Sequence, residues 1–329
     1  MRSGRSVAAM NRPMRVLAVA MVFLAAGCSS GGSSDGAGDR AGKATTTTKA
    51  ATTTTVSKPE PLEDQTPPAS INGLVVQGDT IWVASIKDDQ ILQIDRESGA
   101  ILQRFDTEGA GPDDVAVAPD GSIWSTGFVN GDLGRIDGGR YETVMNVEPG
   151  INPLEFGPDG TLYLGTYGPD GRLYSLETDG GAPMPGTQEL KGAPAEVRAE
   201  GLPDINAFGI LDDGTIVSPA GGVAGPGSAI AIDPGSGTHT TIVGDLPGVA
   251  AGTTDSDGNP YLLANATGEV IAIDVEAKTS KVVQTVKQGA PFDNLSFADD
   301  GTMYLSSFVA PTITEVQPDG TERLITIGG

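Results

Sequence analysis

A turn repeated six times is the feature that most constrains the fold of this 329-residue chain. From Ile71 onward, each unit has a short apolar strand, a turn made of Asp and Gly, and a second strand. The turns are Gly78-Asp79, Asp120-Gly121, Asp159-Gly160, Asp213-Gly214, Asp257-Gly258 and Asp300-Gly301. Three positions after each turn stands a large apolar residue, in order Trp82, Trp124, Tyr163, Val217, Tyr261 and Tyr304.

Each unit continues with an apolar third strand, as in residues 91–95, and a more polar fourth strand, as in residues 101–105. Four antiparallel strands repeating about every 43 residues are typical of propeller blades. One blade cannot bury both of its faces, whereas blades stacked around an axis cover each other. The sequence therefore predicts an all-β fold over residues 69–329, a six-bladed β-propeller of four-stranded antiparallel blades. The recurrent aromatic is interpreted as packing between blades.

Closure of the ring by the four strands of the last unit is the simplest arrangement. A closing strand from the N-terminal side would have to come from residues 56–70. Prolines disfavour this alternative, because proline cannot donate a ladder hydrogen bond. They are Pro59, Pro61, Pro67 and Pro68.

The first 27 residues have the features of a targeting signal. Four arginines precede an apolar run over residues 16–26 that is too short to span a bilayer. The run ends in Leu24-Ala25-Ala26-Gly27-Cys28, which resembles the lipobox of bacterial lipoproteins. This resemblance implies a signal peptide over residues 1–27, cleavage before Cys28, and attachment of palmitate-type acyl chains to that cysteine. An ordinary secretory signal and a buried apolar segment are the alternatives.

A lipidated cysteine would place the protein at the cell membrane, anchored by lipid and facing outside the cytoplasm. Several acyl chains are needed for durable attachment, because one chain anchors only marginally. Residues 28–68 are rich in Ser, Gly, Thr and Pro and have few apolar side chains. They are predicted to form a disordered tether, because ordering them would cost entropy with no burial to offset it. Whether the threonines carry sugars stays open.

Charge excludes one class of partner. The chain has 20 Lys and Arg against 43 Asp and Glu, and residues 69–329 hold 12 of the basic and 38 of the acidic side chains. Nucleic-acid binding needs clustered basic residues, so no nucleic-acid partner is expected. Self-repulsion of this charge predicts a soluble monomer that stays off anionic lipid, with the acyl group as its only membrane contact.

One column of the aligned units has no packing explanation. It stands two residues before the first apolar position of each inner strand. Its members are Asn72, Asp113, Asn152, Asn206, Ala250 and Asp293. Inner strands of a propeller begin at one mouth of the central channel, so the five polar members should form a ring of oxygens. Such a ring can hold a hard cation, with calcium favoured, or bound water or a small polar ligand. The alternative is that these residues only cap turns.

The loops that join second and third strands should open at the same mouth. Three of them contain an aromatic residue, namely Phe128, Tyr167 and Phe308. Exposed aromatic side chains beside a polar opening suggest recognition of a ligand, peptide or protein partner. These three residues are therefore the candidates for rim recognition.

Segments such as Ile71-Asn72-Gly73-Leu74 and Ile205-Asn206-Ala207-Phe208 resemble the inner strands of gluconolactonase/regucalcin-like proteins and of NHL-repeat propellers. The resemblance to the lactonases implies a divalent-metal site made by a Glu, two Asn and an Asp. In that family the Asp is also the general base. Asn152 and Asn206 match the two Asn, whereas Asn72 replaces the Glu and Ala250 replaces the Asp. Asp113 and Asp293 place carboxylates elsewhere in the ring, so a metal could bind in a shifted position. The hydrolytic base is missing.

The sequence gives less support to other catalytic arrangements. A propeller that inactivates streptogramin antibiotics depends on histidine, but the only histidine here, His239, falls in a predicted outer strand. The same position makes a Ser-His-Asp triad improbable. Two hypotheses remain. One is a membrane-tethered binding module that takes a small polar ligand, a peptide or a divalent cation at the channel mouth. The alternative is a metal-dependent lactone or ester hydrolase. The missing carboxylates favour binding, and whether the chain is an enzyme stays open.

Overall fold

The computed structural model describes residues 58–183 and 195–329, which form strands, turns and irregular segments with no helix. The predicted signal peptide, Cys28 and residues 29–57 of the predicted tether lie outside these ranges. No helix that could cross a membrane occurs within the two described ranges.

Six four-stranded antiparallel sheets follow one another along the chain. Blade 1 contains β1 (Leu74–Gln77), β2 (Thr80–Ser85), β3 (Gln90–Asp95) and β4 (Ile101–Asp106). Blade 2 contains β5 (Pro112–Val117), β6 (Ile123–Gly127), β7 (Asp132–Asp137) and β8 (Arg140–Asn146). Blade 3 contains β9 (Ile151–Phe156), β10 (Leu162–Thr166), β11 (Gly171–Leu176) and β14 (Glu196–Leu202), with a separate hairpin of β12 (Thr178–Asp179) and β13 (Ala182–Pro183).

The second half repeats the pattern. Blade 4 contains β15 (Gly209–Ile210), β16 (Ile216–Ala220), β17 (Gly227–Asp233) and β18 (Thr238–Leu246). Blade 5 contains β19 (Val249–Thr254), β20 (Pro260–Ala264), β21 (Glu269–Asp274) and β22 (Thr279–Thr285). Blade 6 contains β23 (Leu295–Phe297), β24 (Met303–Ser306), β25 (Thr312–Val316) and β26 (Glu322–Thr326). The predicted six-bladed β-propeller is confirmed, and blade 6 is built from its own four strands.

The core is divided into six apolar clusters, each between two neighbouring blades. Every cluster contains, or has packed against it, one member of the column after the Asp-Gly turn. Trp82 packs with blade 2 residues such as Val115, and Tyr304 closes the ring by packing with Ile81 of blade 1. The interpretation of this column as packing between blades is therefore confirmed. Burial of such side chains is the main stabilising term of a propeller.

The short hairpin β12–β13 covers the seam between blades 2 and 3. Gly181 lies at its tip with a φ of 97°, a left-handed conformation that favours glycine. Its carbonyl oxygen accepts a hydrogen bond of 3.0 Å from Trp124 Nε1. Trp124 is fully buried, so this bond satisfies the one polar atom of its side chain.

Residues 58–70, which we call the strap, run beside blade 1. Lys58 forms an ion pair with Asp95 at the end of β3. This pair lies on the face of the propeller opposite the one at which β1 starts. The further contacts are a backbone hydrogen bond from Leu62 N to Ile101 O (2.8 Å), a bond from Gln65 Nε2 to Ile101 O (3.0 Å), and one from Ala69 N to Asp88 Oδ2 (2.8 Å). Burial alone would raise the pKa of Asp95, but hydrogen bonds from Lys58 and Ser98 outweigh it and lower this pKa to about 2. The strap thus leads to the mouth from the opposite face.

Candidate functional site

The candidate site is the mouth at which all six inner strands begin. The predicted ring residues lie at this level, either within the first residues of an inner strand or just before it. Asp113, Asn152 and Ala250 lie in β5, β9 and β19, whereas Asn72, Asn206 and Asp293 precede β1, β15 and β23. The loops between second and third strands open at the same mouth, because consecutive strands of a blade are antiparallel.

Asn72 lies between the two ring carboxylates. Asp113 and Asp293 belong to the blades on either side of blade 1, and the side chain of Asn72 lowers the pKa of both acids. The backbones hold the three residues together, since Gly73 N donates to Asp113 O at 2.6 Å and Ser306 Oγ of blade 6 donates to Asn72 O at 2.5 Å. Asp293, Asn72 and Asp113 therefore form one continuous arc over blades 6, 1 and 2, which we call the acidic arc.

Electrostatics make the acidic arc costly to ionise. Burial raises the pKa of Asp113 well above its usual range, and the nearby carboxylates of Asp293 and Asp114 raise it further. Burial also raises the pKa of Asp293, and in both cases the side chain of Asn72 acts in the opposite direction. Asp113 is buried and Asp293 is half-buried. Two neighbouring acids with little access to water cannot both ionise cheaply unless a positive charge lies near them. The arc is thus set up to favour a cation.

A second polar pair, Asp114 and Asn294, lies below the arc. Asp114 and Asn294 directly follow Asp113 and Asp293 in sequence. Asn294 Nδ2 donates a buried hydrogen bond of 2.9 Å to Asp114 Oδ1, from blade 6 to blade 2. Burial raises the pKa of Asp114 to about 8, opposed by a hydrogen bond from Val115 N. The sequence reasoning missed this pair, because Asp114 and Asn294 are the only polar members of the column that follows the ring.

The lower channel holds a small cavity of about 30 Å³, lined by residues of all six blades. This volume suits one or two water molecules. Glu155 faces it, and burial raises the pKa of this carboxyl to about 7. Asp114 and Asn294 line the same cavity, one position after the ring residues, whereas Glu155 comes three positions after Asn152. A ligand that enters from the mouth therefore meets the acidic arc before it meets Glu155.

Close approach of inner strands narrows the channel at two places. Gly73 N donates to Asp113 O at 2.6 Å, and Gly252 N donates to Ala207 O at 2.8 Å. A Cβ atom on Gly73 would lie 2.3 Å from Asp114 Oδ1 and 2.5 Å from Asp114 Cα. Glycine is required there because the backbones of blades 1 and 2 touch.

The other half of the ring differs from the arc. Asn206 Oδ1 accepts a hydrogen bond of 3.0 Å from Ala207 N, which is the local pattern of a turn cap. Asn152 is buried in β9, and its backbone oxygen accepts a bond from Thr126 Oγ1. Ala250 is fully buried. The structure therefore brings together Asn72, Asp113 and Asp293, while the capping alternative describes Asn206.

The rim combines aromatic and aliphatic side chains. Tyr167 is 40 % exposed, whereas Phe128 and Phe308 are half-buried. Beside these two phenylalanines, Val129 and Val309 are 61 % and 52 % exposed. The sequence identified the correct loops, but in two of them the neighbouring valine is the side chain that faces solvent.

The metal ligands of the resembled lactonases do not fit this chain. Asn72 and Ala250 stand where that family has carboxylates. Within residues 58–183 and 195–329, no group of three or more His, Cys, Asp and Glu side chains is arranged to hold a metal ion. A cation at the acidic arc would have two carboxylates and, as further ligands, water or uncharged oxygens. His239 lies exposed in β18, away from the mouth.

No protein-family model matches the chain, and no curated protein matches it. Solved structures with the same fold include gluconolactonase from Xanthomonas campestris, with 14% identity, a TM-score of 0.57, and coverage of 74% of this chain and 84% of that one. The calcium-binding protein regucalcin from Agrobacterium tumefaciens has 16% identity, a TM-score of 0.55, and coverage of 74% and 83%. Virginiamycin B lyase from Staphylococcus aureus has 15% identity, a TM-score of 0.54, and coverage of 79% and 85%. At these identities the similarity shows the propeller fold alone.

Proposed function

We propose that this protein is a lipid-anchored, extracytoplasmic binding propeller that holds a cation at its channel mouth, between Asp113 and Asp293. The observation that carries the proposal is the acidic arc. Two carboxyl groups from different blades flank Asn72, and burial raises the pKa of each. A bound cation would relieve the desolvation and repulsion that raise both values.

Calcium is the metal ion that we expect there. It accepts flexible geometry and oxygen ligands that include water, whereas magnesium demands a strict octahedron and loses water reluctantly. The regucalcin structure is that of a calcium-binding protein with the same fold, which supports the choice without identifying the site. The membrane anchor in this proposal is Cys28, within the lipobox-like segment.

Hydrolysis is the less favoured alternative. Ala250 occupies the position at which the resembled lactonases have their base, so water would need another activating group. The remaining carboxyls with raised pKa values are Asp114 and Glu155. Asp114 is buried and bonded to Asn294, and Glu155 lies farther down the channel. Both carboxyls are therefore farther from the mouth than the acidic arc.

Thermal unfolding of the full chain with and without calcium tests the proposed function. A ligand that binds only the folded state stabilises it, by about 1.4 kcal/mol at tenfold excess over Kd, which is a rise in Tm of roughly 3–6 °C for a domain of this size. Magnesium should give a smaller rise. Asp113→Asn combined with Asp293→Asn should abolish the calcium response.

Asp299→Asn is the matched control, because Asp299 is an exposed acid in the turn between β23 and β24 at the opposite face. This variant should keep the full calcium response. A wild-type Tm that calcium leaves unchanged would refute the metal part of the proposal. Turnover of a lactone panel that depends on metal and is lost in Asp113→Ala or Asp293→Ala would instead establish the hydrolase.

A further inference from the structure

Exposed apolar side chains collect around the acidic mouth. Nine large apolar side chains are exposed in residues 58–183 and 195–329, and four of these lie in the loops that open at the mouth. The four are Val129, Tyr167, Val223 and Val309. They come from blades 2, 3, 4 and 6, so they stand around the opening and not on one side of it. Exposed apolar groups next to buried polar ones are the pattern of a ligand site.

Tyr167 connects the apolar rim with the acidic arc. It lies in blade 3, whereas Asp113 and Asp293 belong to blades 2 and 6. Partial burial raises the pKa of Tyr167, and the charges of Asp204, Asp293 and Asp113 raise it further. The backbone N–H of Tyr167 donates to Gly150 O at 3.0 Å, and Gly150 lies two positions before the ring residue Asn152. Tyr167 therefore stands beside the ring, between the arc and the exposed side chains of the rim.

We propose that the mouth selects a primary ammonium group attached to an apolar chain, with the ammonium between Asp113 and Asp293 and the chain against Tyr167 and the rim valines. This inference depends on the proposed function, since it names an organic cation that the same two carboxylates would bind besides a metal ion. A metal ion gains nothing from an apolar rim, whereas an alkyl chain does. A primary ammonium is a compact charge with three donors, which suits carboxylates on separate blades better than a quaternary ammonium without donors. Free amines and lysine side chains share this chemistry.

The test is a series of titrations of the full chain by calorimetry. The ligands are methylammonium, butylammonium and hexylammonium, with hexanol as the uncharged match. Affinity should rise roughly twofold with each added methylene, because a half-buried methylene gains about half of the full transfer free energy. Hexanol should bind at least tenfold more weakly than hexylammonium. Nα-acetyl-lysine methylamide distinguishes the two sources of a primary ammonium, free amines and lysine side chains. If it binds more tightly than butylammonium, the ligand is a lysine of a polypeptide. If it binds more weakly, the ligand is a free amine.

Paired variants separate the arc from the rim. Asp113→Asn with Asp293→Asn should abolish the preference for hexylammonium over hexanol. Tyr167→Ser with Val309→Ser should weaken the dependence on chain length and keep the preference for hexylammonium over hexanol. The control replaces the exposed pair Val282 and Val283 in β22 by serine. It should change neither the preference for hexylammonium over hexanol nor the dependence on chain length, because these valines lie in the outer strand of blade 5.

Each contrary outcome has its own meaning. Equal affinities for methylammonium and hexylammonium would overturn the inference, and so would equal affinities for hexylammonium and hexanol. If calcium still raised the Tm in either case, the proposed function would stand. A chain that responded to neither calcium nor any ammonium would overturn both.

Discussion

Asn294 and Asp114 join blades 6 and 2 across the central channel, through a buried hydrogen bond of 2.9 Å between Nδ2 and Oδ1. The two residues are 180 positions apart in the chain. The bond ties together the blades that flank blade 1, directly below the acidic arc. It therefore supports the geometry of the mouth from below.

Loss of this bond should destabilise the fold. Asn294→Ala leaves Asp114 buried without that donor, which should lower the free energy of unfolding by about 1–3 kcal/mol. Urea unfolding measures the change. Asn259→Ala, in an exposed turn of blade 5, is the control. Its partner Asp255 keeps other hydrogen-bond donors and access to water, so loss of the Asn259 side chain should cost little stability. Equal stabilities of the two variants would contradict a structural role for the Asn294 bond.

Stability should fall as the pH rises from about 4 to about 7, in part because of Glu155. The pKa of this carboxyl is raised to about 7 by burial, above the usual value near 4 of an unfolded chain. The folded state therefore holds a proton that the unfolded state releases, and this contribution to stability is complete at low pH and disappears as the pH passes 7. Glu155→Gln should flatten the pH profile, as measured by urea unfolding at several pH values. Glu177→Gln, at an exposed site, should leave the profile as it is.

Gly73→Ala should separate the inner strands of blades 1 and 2. The new Cβ would lie 2.5 Å from Asp114 Cα, so the backbone itself would have to move. Overpacking of this kind typically costs about 1–3 kcal/mol. We expect a Tm lowered by several degrees and a weaker calcium response, because Asp113 is displaced with its strand. Gly244→Ala, where a Cβ would meet nothing within 4 Å, should leave both properties unchanged.

Cys28→Ser should release the protein from membranes. The acyl chains on this cysteine are the predicted anchor, and the acidic domain is expected to avoid anionic lipid. Fractionation of cells into membrane and soluble parts measures the effect. If the serine variant stayed in the membrane fraction, lipidation at Cys28 would be refuted. Binding of the unlipidated protein to anionic vesicles at physiological salt would refute the second expectation.

The repeating part of the fold was predictable because its signals are local. An Asp-Gly turn and the residue three positions later recur in each unit, and both have the same role in each blade. The position of Asp113 and Asp293 at the mouth followed from that alignment. The influence of Asn72 on the pKa of both acids could not be predicted, since it depends on how far apart blades 6, 1 and 2 stand.

The rest depends on contacts that no single unit contains. The bond between Asp114 and Asn294 arises only when the ring is closed, so the period of the sequence carries no direct sign of it. Which side chain of the pair Phe128 and Val129 faces solvent depends on the loop backbone, where Phe128 N bonds to Gly111 O of another loop. The strap beside blade 1 was similarly hidden, because its contacts use polar atoms such as Gln65 Oε1, which accepts from Ile101 N, in a segment of linker-like composition.

The most direct test of the proposed cation site is a crystal structure of the protein grown with calcium, with anomalous scattering used to locate the ion. The acidic arc predicts one strong peak at the mouth, about 2.3–2.6 Å from carboxylate oxygens of both Asp113 and Asp293. The same crystals of the variant with Asp113→Asn and Asp293→Asn should lack it. A mouth without calcium density in the wild-type protein, at a concentration that saturates its thermal response, would contradict the assignment of the cation to these two residues.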